Sequence, residues 1–374
     1  MANEYLPKYI KIKNDIEDMI NEGKIKPGSK LPTENELSEK YGVSRHTVRK
    51  ALNILRQEGL LYRKQGVGTF YKSNSNKTTK NIGFISISLH AYIFADMLSS
   101  VDKILYENGY QILLGNSMDN HEREKEILKE FIKKNVDGLI IEPAKSARNY
   151  PNTSLLKRFV NNNIPVTILD SKFKEDNFNN ITVDDEHGGI LATEHLLEMG
   201  HENIAMIYKG LHKPALGRFR GYKQALKNHK IPVYNNYVKQ YLNSEFEDRT
   251  NFKKEIEEIT KELINADPQP TAIFCFNDQV AIFVKEILQK EGYDVPADIS
   301  IIGFDNSKQA NLENITSVAH PKEKVGEKAA KITLERINDG KFEYCEDVMF
   351  KPKLVKRGSV KRIQKRGEKI GKIK

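Results

Sequence analysis

The sequence predicts two fold classes in one chain: an N-terminal α+β winged helix-turn-helix, followed by a larger α/β body built on parallel sheets. Three observations predict this. Residues Leu31 to Phe70, LPTENELSEKYGVSRHTVRKALNILRQEGLLYRKQGVGTF, read as two helices around a tight turn, then a glycine-containing β-wing. The segment Lys72 to Asn81, KSNSNKTTKN, has no apolar residue and reads as a linker. From Asn81 onward, short apolar runs alternate with amphipathic segments of helical spacing, the pattern of parallel strands covered by helices on both faces. A chain of 374 residues has room for a small domain and a body of one or two lobes.

The first helix is expected from about Lys8 to Asn21, where Tyr9, Ile12, Ile16 and Ile20 form an apolar stripe and Pro7 suits its first turn. Gly23 and Pro27-Gly28 break it. Thr33 followed by Glu36 makes a capping box for a second helix ending near Gly42. Ser44 can cap a third, from Arg45 to about Glu58. On its wheel Val48, Ala51, Leu52 and Leu55 gather on one side, while Arg45, His46, Arg49, Lys50 and Asn53 occupy the other. A basic face alone is more often a solvated surface. The turn before it and the wing after it favour a recognition helix meeting base edges. Leu60 to Tyr71 reads as two short strands around Gln65-Gly66-Val67-Gly68, with Arg63, Lys64 and Gln65 at the tip. The linker, if flexible, has a reach of roughly 17 Å. Beyond it, IGFISIS, QILLG, DGLIIE, PVTILD, NIAMIY, TAIFCF and ISIIGF are the expected strands.

Charge is local. The net value of +9 hides 14 Lys and Arg against 9 Asp and Glu in residues 1 to 72, and 11 against 1 in the last 24 residues. The middle carries 35 basic and 41 acidic residues, so only the ends suit a polyanion. Two cysteines, Cys275 and Cys345, give neither a disulfide framework nor a metal cluster. The N-terminus MANEYLPKYIKIK has no apolar signal core and no run is long enough to span a bilayer, so a cytoplasmic location without membrane partners is expected.

Both parts resemble known families. Residues 1 to 72 resemble the GntR family of bacterial regulators through LPTENEL, GVSRHTVRKAL and QGVGTF, three motifs in order. One departure is Asn35, where many GntR proteins carry a phosphate-contacting Arg. Residues 81 to about 360 resemble the LacI/GalR sensor, itself similar to periplasmic binding proteins, through VTILD, VDDEHGGILATEHLLEMGHENIAMI, RFRGYKQAL, FCFNDQVA, ISIIGFDN and TSVAHPKEKVGEKAAKITLERI. The implied organisation is a winged-helix domain at 1–72, a flexible linker at 73–81, an effector-binding and dimerisation domain at 82–360 and a basic tail at 361–374. The tail reads as a solvated extension or a non-specific DNA contact. The body is expected to be a periplasmic-binding-protein-like sensor of two lobes with a cleft at the carboxyl ends of its strands. LacI proteins have a hinge helix before the sensor and this chain has none, so their coil-to-helix switch does not carry over.

The GntR resemblance implies base or near-base contacts from Arg45, His46 and Arg49. It places Ser44 and Thr47 on phosphates, Gln65-Gly66 at the minor groove and Lys64 near the backbone. The LacI resemblance implies effector contacts from Asp170 in TILD, Arg218 in RFRGY and Asp278 in FNDQ. Asp305 and Asn277 join them, followed by His90, Tyr92 and Gln309. A sugar needs such fixed carboxylates, amides and an Arg, with an aromatic face for its C–H side. The chain has no Trp, so Tyr92, Phe94 or Phe276 must supply the ring. For each acid the alternative is a helix cap or a lobe-bridging salt bridge.

The resemblance, a GntR head on a LacI-type body, implies a homodimeric repressor of carbohydrate genes that binds double-stranded operator DNA and is released by a pentose, L-arabinose, with no cofactor. Another sugar, a purine or an activating role is the alternative. An enzyme is not expected, because the chain has no phosphate-binding glycine loop, zinc-protease motif or nucleophile elbow. Asp184-Asp185-Glu186-His187 could suggest a metal, but acids opening a helix favour its positive end.

Overall fold

The computed structural model describes residues 6–21, 24–72, 78–89, 92–147, 150–173, 177–243, 248–340 and 345–363. In the head, α1 (Lys8–Asn21), α2 (Glu34–Tyr41) and α3 (Arg45–Gln57) precede a hairpin of β1 (Leu61–Lys64) and β2 (Gly68–Tyr71). The capping box of α2 is complete: the Thr33 N–H donates to Glu36 Oε2 at 2.6 Å and the Glu36 N–H to Thr33 Oγ1 at 3.2 Å. Gly42 ends the helix at φ +60°, a left-handed conformation that glycine adopts without strain. Ile12, Ile16 and Ile20 of α1 pack with Val48, Ala51, Leu52 and Leu55 of α3, so the basic face of α3 points away from this core.

The body begins with β3 (Asn81–Ser86), α4 (Tyr92–Glu107), β4 (Gln111–Asn116), α5 (His121–Lys133), β5 (Gly138–Ile141), α6 (Thr153–Asn161), β6 (Val166–Leu169) and β7 (Asn179–Val183). The chain then crosses into a second lobe. That lobe holds α7 (Asp185–Glu198), β8 (Ile204–Lys209), α8 (Lys213–Asn228), β9 (Val238–Tyr241), α9 (Arg249–Ile264), β10 (Ala272–Cys275), α10 (Asp278–Lys290), β11 (Ser300–Phe304), α11 (Lys308–Leu312) and β12 (Thr316–Ala319). Returning through α12 (Lys322–Asp339) and β13 (Asp347–Phe350), the chain ends its described part beside the second lobe with β14 (Lys353–Val355).

Each lobe is one six-stranded sheet with a hydrophobic core on both faces. The first sheet has the order β13-β7-β6-β5-β3-β4 and is parallel throughout. The second has the order β14-β12-β11-β10-β8-β9 and is parallel except for β14. Burial on both faces explains why these strands read as continuous apolar runs such as GLII and AIFC rather than as alternation. All seven runs named from the sequence are strands, and β7, β9, β12, β13 and β14 are additional. Among the described residues no helix is long and apolar enough to cross a membrane.

The linker assigned to 73–81 is shorter at its C-terminal end. Asp137 accepts from the N–H groups of Thr79 and Lys80 at 3.0 and 2.8 Å, and Asn81 already belongs to β3. Residues 73–77 and the tail from 364 lie outside the described residues.

Candidate functional site

The head presents its polar groups on one surface. Ser44 caps α3 by accepting from the Thr47 N–H at 3.3 Å, and its hydroxyl lies 2.9 Å from that of Thr47. Ser44, Arg45, His46 and Arg49 are exposed and Thr47 is half-buried. Lys64, Gln65 and Gly66 are exposed at the wing, where Gly66 turns the hairpin at φ +74°. Arg49 grips Glu34, donating from Nη2 to Oε2 at 2.7 Å and from Nε at 3.1 Å. The Arg49 hydrogen bond holds the Glu34 carboxyl below its ordinary range, with Arg63 and Arg45 adding to the effect. Glu34 is thus the carboxylate partner of Arg49 on this surface, and it also feels the charges of Arg63 and Arg45. Lys50 lies over the Tyr9 ring at 4.0 Å and is directed toward α1.

In the body, the carboxyl ends of the two sheets face each other across a cleft enclosing about 810 Å³ out to its open mouth. Of the residues expected there, Asp170, Arg218, Asn277, Asp305 and Tyr92 line it. Arg218 is buried and fixed on every side. Its Nε donates to Asp185 Oδ1 at 2.9 Å, its Nη1 to the Phe276 carbonyl at 2.6 Å, and its Nη2 lies 3.6 Å from Asp305 Oδ1. The guanidinium carbon is 3.5 Å from the centre of the Phe304 ring and 4.7 Å from that of Phe276. Asp305 accepts from the Tyr92 hydroxyl of the other lobe at 2.7 Å. Asp170 and Asp305 hold positive φ of 51° and 98° just past β6 and β11, local strain of the kind found where strand ends build sites. Phe84, Phe94 and Phe276 form the apolar wall.

The charges of the cleft are internally balanced. Burial alone would lower the His320 imidazole, but Asp170, 3.4 Å away, outweighs it and holds the group above its ordinary value. Lys209 pairs with Asp119 at 3.1 Å, and His212 Nε2 lies 3.0 Å from the same carboxylate. Burial opposes ionisation of Asp119, yet Lys209 and then His212 keep its carboxyl far below the usual range. Burial and Lys209 push His212 down, so Lys209 is the cation that balances Asp119. Burial, with Asp170 adding, pushes Glu142 up to about 7, and burial against the pull of Arg218 raises Asp185 to about 6. Among the described residues every cation lining the cleft already has a carboxylate partner. Such a lining offers fixed hydrogen-bonding groups rather than free positive charge.

Three expected contacts are corrected or untouched. Asp278 does not line the cleft: it is fully buried at the first turn of α10, where Oδ2 accepts from the Ser307 N–H and Oδ1 from the Ser317 hydroxyl, both at 2.6 Å. A Cβ on Gly303 would collide with Oδ1, so β11 passes directly over this carboxyl. Burial raises it to about 7, with Asp305 adding. Asp278 ties β11, β12 and α10 together. Asp278→Ala is therefore expected to destabilise the sensor by about 2–4 kcal/mol, through two donors left unsatisfied, while a folded fraction keeps its ligand response. Denaturant unfolding with and without ligand checks this; wild-type stability with lost binding would restore Asp278 to the site. Gln309 lines a neighbouring groove with Gln279 and Tyr92, because α11 turns it outside the cleft. His90 lies outside the described residues.

Other cleft residues were not anticipated. Glu142, Lys209 and His212 line it, but nothing local in the sequence joins Lys209 and His212 to Asp119, some 90 positions away. In the Asp184–His187 run each acid has a structural partner. Asp184 caps α7, Asp185 holds Arg218 and Glu186 holds Arg220 at 2.9 Å. Among the described residues no group of His, Cys, Asp and Glu is arranged to hold a metal.

Comparison with known proteins follows this division of the chain. Residues 8–70 match the bacterial regulatory proteins of the gntR family, and residues 193–360 match the periplasmic binding protein-like domain. The whole chain is similar to an arabinose metabolism transcriptional repressor of Geobacillus stearothermophilus, at 36% identity over 370 residues, covering 97% of this chain and 100% of that protein. The body is similar in fold to a LacI family transcriptional regulator from Enterococcus faecium with bound ribose, at a TM-score of 0.66 and 26% identity, covering 76% of this chain and 100% of that one. A periplasmic binding protein/LacI transcriptional regulator from Alkaliphilus metalliredigens complexed with D-xylulofuranose superposes at a TM-score of 0.61 and 25% identity, over 75% and 99% of the two chains. The chain belongs to the family of transcriptional repressors that join a gntR-type winged helix to a LacI-type, periplasmic-binding-like sensor, the family of the arabinose metabolism repressors.

Proposed function

We propose that the protein represses carbohydrate-utilisation genes, binding a pseudo-palindromic operator as a homodimer and leaving it when L-arabinose occupies the interlobe cleft. The observation that carries the ligand reading is the cleft itself, whose cations are already paired and whose carboxylates are fixed beside an aromatic wall. A neutral polyol replaces water there by donating to Asp170 and Asp305 and accepting from Arg218 and Asn277, with a C–H face against Phe276. Similarity to arabinose repressors along the full length supports the same ligand. Arg45, His46 and Arg49 read bases, Ser44, Thr47 and Lys64 hold phosphates, and Gln65-Gly66 enters the minor groove. A thermal-shift screen of pentoses, hexoses and purines tests the effector. L-arabinose is expected to raise the melting temperature, since a ligand at about 100 times its Kd adds about 2.7 kcal/mol. No shift with L-arabinose alongside a shift with another compound would reassign the ligand.

A further inference from the structure

We propose that the head is coupled to the sensor by a docking surface on the first lobe, formed where α5 and α6 end, that seats the head when the lobes are closed. Tyr71, the last residue of β2, donates its hydroxyl to Asn162 Oδ1 at 2.7 Å, and Asn162 is the residue that ends α6. Helix α1 lies alongside α6. Beside this contact, Glu58 and Lys72 of the head share a crevice with Lys133 and Arg158 of the lobe. Glu58 Oε2 and Arg158 Nε are both buried there without a hydrogen-bond partner, while Glu58 Oε1 pairs with Lys13 of the head at 3.2 Å.

The other ends of the two helices meet the second lobe. Asp119, just before α5, is the partner of Lys209 and His212. In the stretch between β5 and α6, the Ser146 hydroxyl accepts from the Lys213 N–H at 3.2 Å and the Ala147 N–H donates to the Leu211 carbonyl at 3.0 Å. Glu124 joins that stretch to α6, accepting from the Ala144 N–H and from Asn152 Nδ2, both at 2.8 Å; Asn152 immediately precedes the helix. Thus α5 and α6 start at the lobe–lobe contact and finish at the head. A helix of 13 residues spans about 20 Å, and packed helices shift as units rather than deforming. Lobe closure sets the position of both helices and with it the seat for Tyr71. A seated head has a fixed orientation, whereas a released head can follow its half-site, so closure weakens operator binding.

Spin labels on Glu39→Cys and Lys129→Cys, in a Cys345→Ser background, report the head-to-lobe distance. The expected result without ligand is a distribution with a narrow component at the seated distance, from the minority of molecules whose lobes are closed. The distribution loses that component and broadens in Asn162→Ala and Tyr71→Phe, which remove the joint. It also broadens in Asp119→Ala, which loosens the lobes; Asp119→Asn serves if the alanine variant does not fold. Unchanged distributions in the joint variants, or in both Asp119 variants, overturn the proposal. A second arm rests on the effector reading: L-arabinose should weaken operator binding of the parent by about 5- to 150-fold, the usual range of allosteric coupling. In Asn162→Ala this falls to within about twofold while binding without sugar is unchanged. Full release in Asn162→Ala also overturns the proposal. A parent that ignores L-arabinose while its distances respond as expected removes the effector assignment and leaves the joint standing.

Discussion

Replacing Arg218 with alanine is expected to destabilise the sensor by about 3–5 kcal/mol and to abolish the ligand-induced rise in melting temperature. Arg218 is the group on which the cleft is assembled. Removing it leaves Asp185 and Asp305 buried without their cation and the Phe276 carbonyl without its donor. It also empties the space between the Phe276 and Phe304 rings. Arg218→Lys should recover some stability but no ligand response, because a single ammonium cannot reproduce a planar fork bonded on two sides and stacked on a third. Thermal unfolding with and without sugar separates the two effects. An alanine variant with wild-type stability and an undiminished ligand shift would remove Arg218 from its central place.

Arg49→Ala is expected to lower operator affinity by about 10- to 100-fold through the lost base contact alone, with the fold of the head intact. The side chain is exposed and alanine suits a helix, so circular dichroism should not change. The loss should be larger than for a phosphate contact, because Glu34 would then face DNA with its neutralising partner gone. Glu34→Gln in the Arg49→Ala background should recover part of the affinity by removing that repulsion. Gel-shift titration of the single and double variants checks both expectations. Near wild-type binding by Arg49→Ala would assign base reading to other residues.

The head was legible in the sequence because its signals are local. Thr33–Glu36, Gly42 and Ser44 each act within a few residues of themselves, and each does in the structure what its chemistry dictates. The strands were legible where the run is continuously apolar, as in GLII and AIFC, and illegible where polar residues interrupt it, as in the buried NNITV of β7 and TSVA of β12 and in VKQY of β9 and DVMF of β13. The cleft was readable in part. Asp170, Arg218, Asn277 and Asp305 follow strands or sit within helices that face it. Asp278 has the same sequence signature, an acid after a strand at a helix start, yet one residue of helix rotation turns it from the cleft into the packing under β11. Asp119, Lys209 and His212 could not be paired from sequence, since only the folding of two lobes brings them within 3.1 Å.

The DNA-reading head is expected to answer to a sugar held between the two lobes. A fluorescence-anisotropy titration of the full chain against its operator, with and without saturating L-arabinose at fixed salt, tests it most directly. Tight binding is expected without the sugar, and a weakening of about 5- to 150-fold with it. Equal affinity in both conditions, or tighter binding with the sugar, would contradict it.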